Sequence, residues 1–162
     1  MTQFLRLGAI LAAIALGFGV MPSGLAQTGP VQDKLAIVKH RQNLMKQQAD
    51  DLKIIKAYLN GTSGDKAAAL TSVQDMIGVA DKVKDLFLVG TSSADLPGKS
   101  DAKPDIWEQK DKFAALMAAL NEGDRNLMDA LQRDDKTAAG AEMADLGKNA
   151  CGACHGSFRE KS

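Results

Sequence analysis

Apolar residues recur at three- and four-residue steps through most of the chain. Between Val31 and Leu59, the residues Leu35, Val38, Met45, Ala49, Leu52 and Leu59 fall on one stripe, widened by Ile37, Leu44, Ile55 and Tyr58. This spacing marks an amphipathic helix. A second stripe, Ala69, Val73, Met76, Ile77, Ala80, Val83 and Phe87, predicts a helix from about Asp65 to Phe87. A third helix is expected from Asp105, just after Pro104, with Phe113, Leu116, Met117, Leu120, Leu127 and Leu131 inward. A fourth carries Met143, Leu146 and Ala150 and runs into "CGACH". Nothing alternates with a period of two. Four such helices in one domain can bury their stripes only against one another. The expected fold is therefore all-α, an antiparallel four-helix bundle.

Punctuation between the stripes agrees. Gly61 stands where a helix C-terminus wants glycine, and Ser63 or Asp65 can cap the helix after it. Asp134 or Asp135 can cap the fourth helix, while Gly123 weakens the third and predicts a bend. The stretch "LVGTSSADLPGKSDAKPD" holds glycines, serines and two prolines without a period. It reads as a long loop, of a length that often serves a function or spans a distance.

Residues 1–26 have the layout of a cleaved secretory signal peptide: Arg6, an apolar run from Leu7 to Met21, then Gly24 and Ala26 before a cut at Gln27. The run is too short and glycine-rich for a good membrane span of about 20 residues. Residues 27–162 are then one exported domain, expected in the periplasm and free of the membrane once the leader is removed. The 162-residue sequence has 20 basic and 20 acidic side chains. This balance, with 4% aromatic residues, excludes an electrostatic or stacking nucleic-acid partner.

Both cysteines and one of the two histidines occupy one five-residue run, Cys151, Cys154 and His155. Export would favour a disulfide, but a bridge across so small a loop restrains the unfolded chain little. On a helix the three residues face one side. C-x-x-C-H is the attachment signature of c-type haem: each thiol forms a thioether, and the adjacent imidazole is placed to bind iron. Gly152 and Ala153 are small enough for a porphyrin edge to approach. A thioredoxin-like pair would need a βαβ context, and a structural zinc would need four ligands where only His40 remains among Cys and His. The expectation is one covalently bound haem c on the C-terminal helix. Methionine is a common second ligand. None follows the motif, so the candidates are Met45, Met76, Met117, Met128 and Met143.

The order "KHRQNLMK", "KPDIW", "CGACHGSFR" on four helices resembles the class II c-type cytochromes, meaning cytochrome c prime and its low-spin relatives. The resemblance covers the whole chain after the leader, and the terminal motif is its most specific part. It implies that Cys151, Cys154 and His155 hold the haem and that Arg41 lies near a propionate. It also implies that Met45, four residues on, faces the distal side of the iron. The family varies at that distal position, so His155 and Met45 are the expected iron ligands, with packing as the other reading of Met45. Arg159, four after His155, is expected near the proximal face, or else as a solvated charge at a helix C-terminus. Phe158 is expected in the core, and Trp107 as a cap over the bundle end. His40 points about 140° from Met45 on a 3.6-residue helix, which places it on the surface.

Three function classes remain open at this point: an electron carrier exchanging electrons with redox partner proteins, a five-coordinate haem protein binding nitric oxide or carbon monoxide, and an enzyme such as a peroxidase. A peroxidase wants a distal base and cation, and no distal histidine is evident. Electron transfer is the first expectation, gas binding the alternative, and enzymatic activity is not expected. The resemblance further implies a homodimer through the first two helices.

Overall fold

The computed structural model describes residues 30–161; the leader expected over residues 1–26 lies outside them. Four long helical segments make the bundle. α1 (Pro30–Leu59) opens on proline, whose missing N–H costs nothing in a first turn. It ends at Gly61, which adopts a positive φ of 66°, while the Thr62 N–H returns to the Ala57 carbonyl at 3.0 Å. α2 (Lys66–Val83) is capped by Asp65, whose carboxylate accepts the Ala68 N–H at 2.7 Å. One tight turn, Lys84–Leu86, follows instead of the further helical turn expected to Phe87.

A short α3 (Asp105–Glu108) is separated by Gln109 from α4 (Lys110–Gln132). α4 runs as one continuous helix through Gly123. Asp135, and not Asp134, caps α5 (Lys136–Asp145), accepting the Ala138 N–H at 2.9 Å. Asp134 instead takes a φ of 59° in the turn and accepts the Tyr58 hydroxyl hydrogen bond at 3.1 Å. α5 continues without interruption into a widened π-helical segment, Leu146–Gly152, and then into α6 (Ala153–Phe158).

α1 packs mainly on α2, α2 on α4, and α4 on α5 and the π segment. Ile55, Met76, Leu127, Leu131 and Leu146 are among the largest wholly buried side chains. Each contributes on the order of 2 kcal/mol through apolar burial. The architecture is the four-helix bundle expected. No helix among the described residues is long and apolar enough to cross a membrane.

On α1 the expected stripe is only partly the buried one. Ala49 is exposed, and Leu35, Met45, Leu52 and Leu59 are half-buried. The line that goes fully under is Val38, Arg41, Gln48, Asp51, Ile55 and Tyr58. Three of those six are polar, so hydrophobicity alone points to the wrong edge of the helix.

The loop after α2 is folded tightly onto the rest. Thr91, Ser92 and Ser100 are buried, and the Ser93 N–H reaches the Ala102 carbonyl at 2.7 Å. An antiparallel bridge joins Ala102 to Arg159, flanked by Lys103 N–H to Phe158 O at 2.9 Å and Glu160 N–H to Asp101 O at 2.8 Å. The segment that follows the motif is thereby stitched to the loop.

Candidate functional site

Cys151 lies in the π segment, and Cys154 and His155 lie in α6. The motif therefore straddles a change of helical pitch. The Ala153 N–H reaches back to the Lys148 carbonyl, five residues earlier, as a π turn requires. Gly152 is needed there, because a Cβ would lie 2.7 Å from the Gly147 carbonyl oxygen. Turns of this kind occur often at functional sites. They shift the face presented by everything that follows.

Both thiols are free, half-buried and packed against the core. Burial raises the Cys154 pKa to about 11, helped by neighbouring Cys151. Burial also raises that of Cys151, with a further push from the Asp124 charge. Both are therefore protonated near neutrality and poor partners for thiolate exchange. His155 presents much of its surface to solvent. Partial burial, then the Arg159 charge, lowers its pKa. A neutral imidazole, the form that ligates metal, is favoured.

The α1 side of the site is organised by Arg41, which is 4% exposed. Its Nη1 donates to Leu86 O and Thr91 Oγ1, both at 3.2 Å. Its Nη2 donates to Thr91 O at 3.3 Å and Ser100 Oγ at 3.0 Å. The guanidinium also lies 4.5 Å from the Phe87 ring centroid. Burial lowers its pKa to about 10, partly offset by Asp101, so the charge is kept. The loop residues Thr91 and Ser100 were not among the expected site residues. Their signal was the unusual density of hydroxyls in "GTSSADLPGKS".

Met45, one turn on from Arg41, is half-buried beside half-buried Leu44. Met76 and Met117 are consumed by the core, while Met128 and Met143 are half-buried on α4 and α5. His40 is exposed, as expected. Phe158 is buried and meets Phe113 edge-on at 5.6 Å, and Phe113 meets Phe87 at 4.7 Å. Trp107 donates its indole N–H to Phe87 O at 3.2 Å, which ties α3 to the end of the turn after α2. Arg159 differs in placement. The helix ends at Phe158, and Arg159 is extended (φ −113°, ψ 139°), 3.8 Å from Asp101. Helical spacing from His155 therefore does not describe its direction.

A planar apolar group held by the motif fits this interior. α1 makes no extensive packing with the π segment or α6 among the described residues. Leu44, Met45 and Leu52 on α1, and Cys151 and Cys154 on the last helical segment, pack against the core but are only half-covered, although Arg41 and Gln48 on α1 are buried. No group of three His, Cys, Asp or Glu side chains converges to hold a metal ion among the described residues. The surface groove between α2 and α4, lined by Asp81, Met117, Asn121 and Arg125, does not include the motif.

Sequence reasoning also missed Asp124. It is wholly buried on α4 and accepts from Gln48 Nε2 at 3.1 Å. A charged residue between Leu120 and Leu127 on the apolar stripe was the available sign.

The family model described as Cytochrome C′ matches residues 36–159. Cytochrome c-554 of Cereibacter sphaeroides is 30% identical over 155 residues, covering 93% of this chain and 97% of that protein. Cytochrome c′ of Rhodopseudomonas palustris is 27% identical over 157 residues, 97% of each chain. Among solved structures, a cytochrome c′ from Rhodobacter Spheriodes superposes with a TM-score of 0.70 at 30% identity, covering 80% of this chain and 99% of that one.

Proposed function

The chain belongs to the cytochrome c′ family of haem proteins, and on that premise we propose that it is a periplasmic electron carrier with one haem c bound through Cys151 and Cys154. The observation that carries this reading is the pair of free, half-buried thiols three residues apart on the last helical segment, next to a neutral-leaning imidazole. The haem supplies a one-electron ferric/ferrous couple. The protein's own residues do the rest. Cys151 and Cys154 would anchor it, and His155 would ligate its iron. Met45 is the proposed second ligand from α1, where its flexible thioether is half-covered and free to reorient.

Arg41 sets the position of the loop through four hydrogen bonds, and its retained charge favours a propionate nearby. Burial first, and then the charge of Arg159, which is paired with Asp101, lowers the basicity of His155. The redox partners are other electron-transfer proteins, and pairing of two copies through α1 and α2 is part of the same reading. The role proposed is carriage, not catalysis.

The absorption spectrum of the matured protein tests this. A low-spin ferrous α band with a ferric methionine charge-transfer band supports Met45 ligation and electron transfer. Both features disappear in Met45→Ala. A broad high-spin spectrum, unchanged by that substitution, contradicts the ligation and favours binding of nitric oxide or carbon monoxide.

A further inference from the structure

Asp124 is 0% exposed. Its carboxylate accepts from Gln48 Nε2, at 3.1 Å to Oδ2 and 3.5 Å to Oδ1. Among the described residues no cationic side chain pairs with it. Arg125, the next residue, turns outward to Asn121 and Asp81. An ionised carboxylate in such a place is costly unless a positive charge lies near. The surrounding elements supply none. α1 contributes Gln48 and, one turn on, buried Asp51. α2 contributes Ser72, bonded to Asp51, and the acidic Asp75. The π segment contributes Cys151, whose thiol feels the Asp124 charge directly.

Cys151 is a proposed haem anchor, so the missing charge has a source. Ferric iron carries a positive charge that ferrous iron lacks. We propose that Asp124 is a proton-binding site coupled to the redox state of the centre held at Cys151. This rests on the proposed function above. For each electron delivered by a one-electron donor protein, Asp124 takes one proton from solvent, and its carboxylate becomes a carboxylic acid as ferric iron becomes ferrous. Oxidation returns the electron to an acceptor protein and the proton to water. Charge inside the bundle is then unchanged over the cycle.

Gln48 suits both states. Its amide N–H₂ donates to the ionised carboxylate. Its Oε1 is buried with no partner; a flip of the amide would present that oxygen to the O–H of the protonated form. Burial holds the Asp124 pKa at about 7, far above the ordinary 3.8, against a lowering from the Gln48 hydrogen bond. The site therefore titrates in the range where coupling matters. A unit change of charge at separations of order 10 Å, in an effective dielectric near 20, alters proton affinity about tenfold.

The test is a potentiometric titration of the haem-loaded protein from mildly acidic to mildly alkaline pH, with infrared difference spectra between the oxidation states. The midpoint potential should fall as pH rises through neutrality, by a total of about 59 mV for a tenfold change in affinity. Reduction should produce the carbonyl stretch of a protonated carboxylic acid. Asp124→Asn should remove both the step and the band. Should that variant not fold, Gln48→Leu removes the hydrogen bond that favours the ionised form, and the step must move to higher pH. A potential that is flat with pH in haem-loaded protein, or a step unaltered by either substitution, overturns this inference alone. Protein that matures without haem overturns the proposed function and this inference with it.

Discussion

Gly123 on α4 faces Leu146 at the start of the π segment so closely that a Cβ on Gly123 would lie 2.6 Å from Leu146 Cδ2 and 2.8 Å from its Cγ. Leu146 is fully buried and has little room to retreat. The glycine thus sets how near the motif-bearing segment comes to α4. Gly123→Ala should gain about 1 kcal/mol of helix propensity and lose about 1–3 kcal/mol to overpacking. Net destabilisation in urea unfolding is expected. Stabilisation by the propensity gain alone would show that Leu146 moves aside freely.

Arg41 spends its four terminal N–H groups on Leu86, Thr91 and Ser100. Arg41→Met keeps much of the bulk and removes every one of these bonds. Thr91 O keeps the Ser100 hydroxyl and Ser100 Oγ keeps the Ala102 N–H, so Leu86 O and Thr91 Oγ1 lose most, and a loss of about 1–3 kcal/mol is expected. The loss should be local before it is global: amide exchange from Thr91 to Ser100 should quicken while α2 and α4 stay protected. Unchanged exchange in the loop would contradict its anchoring by Arg41.

Asp124 makes stability depend on pH. Its folded pKa, about 7, lies above the ordinary 3.8, so the folded chain holds a proton that the unfolded chain has released. The contribution to stability is whole below the unfolded value. It falls as pH rises between the two values and is lost above the folded one. For the reduced protein, Asp124→Asn should match the parent in acid and exceed it by up to about 4 kcal/mol above neutrality. Equal stabilities at alkaline pH would show that the carboxylate has found a positive partner.

The helices and the motif were legible because each is a local pattern. A 3.6-residue period in α2 and α4 and a C-x-x-C-H run both fit within a few turns of chain. What escaped depends on partners distant in sequence. Gln48 and Asp124 are 76 residues apart, and Arg41 and Ser100 are 59 apart. Each is polar, so each hid within a stripe read for hydrophobicity. The π segment escaped because periodicity assumes one pitch. Gly147 and Gly152, five apart, were the sole written trace of the wider turn. The extended backbone of Arg159 escaped for a related reason: the helix ends one residue before it, where the chain bridges to Ala102.

The intact mass of protein matured in an exporting host with haem-attachment machinery tests the central claim most directly. The mass expected is that of the chain after leader removal plus one haem, retained under denaturing conditions and lost when Cys151 and Cys154 are both replaced by alanine. A bare polypeptide from that host, or a haem that separates on denaturation, would contradict the account.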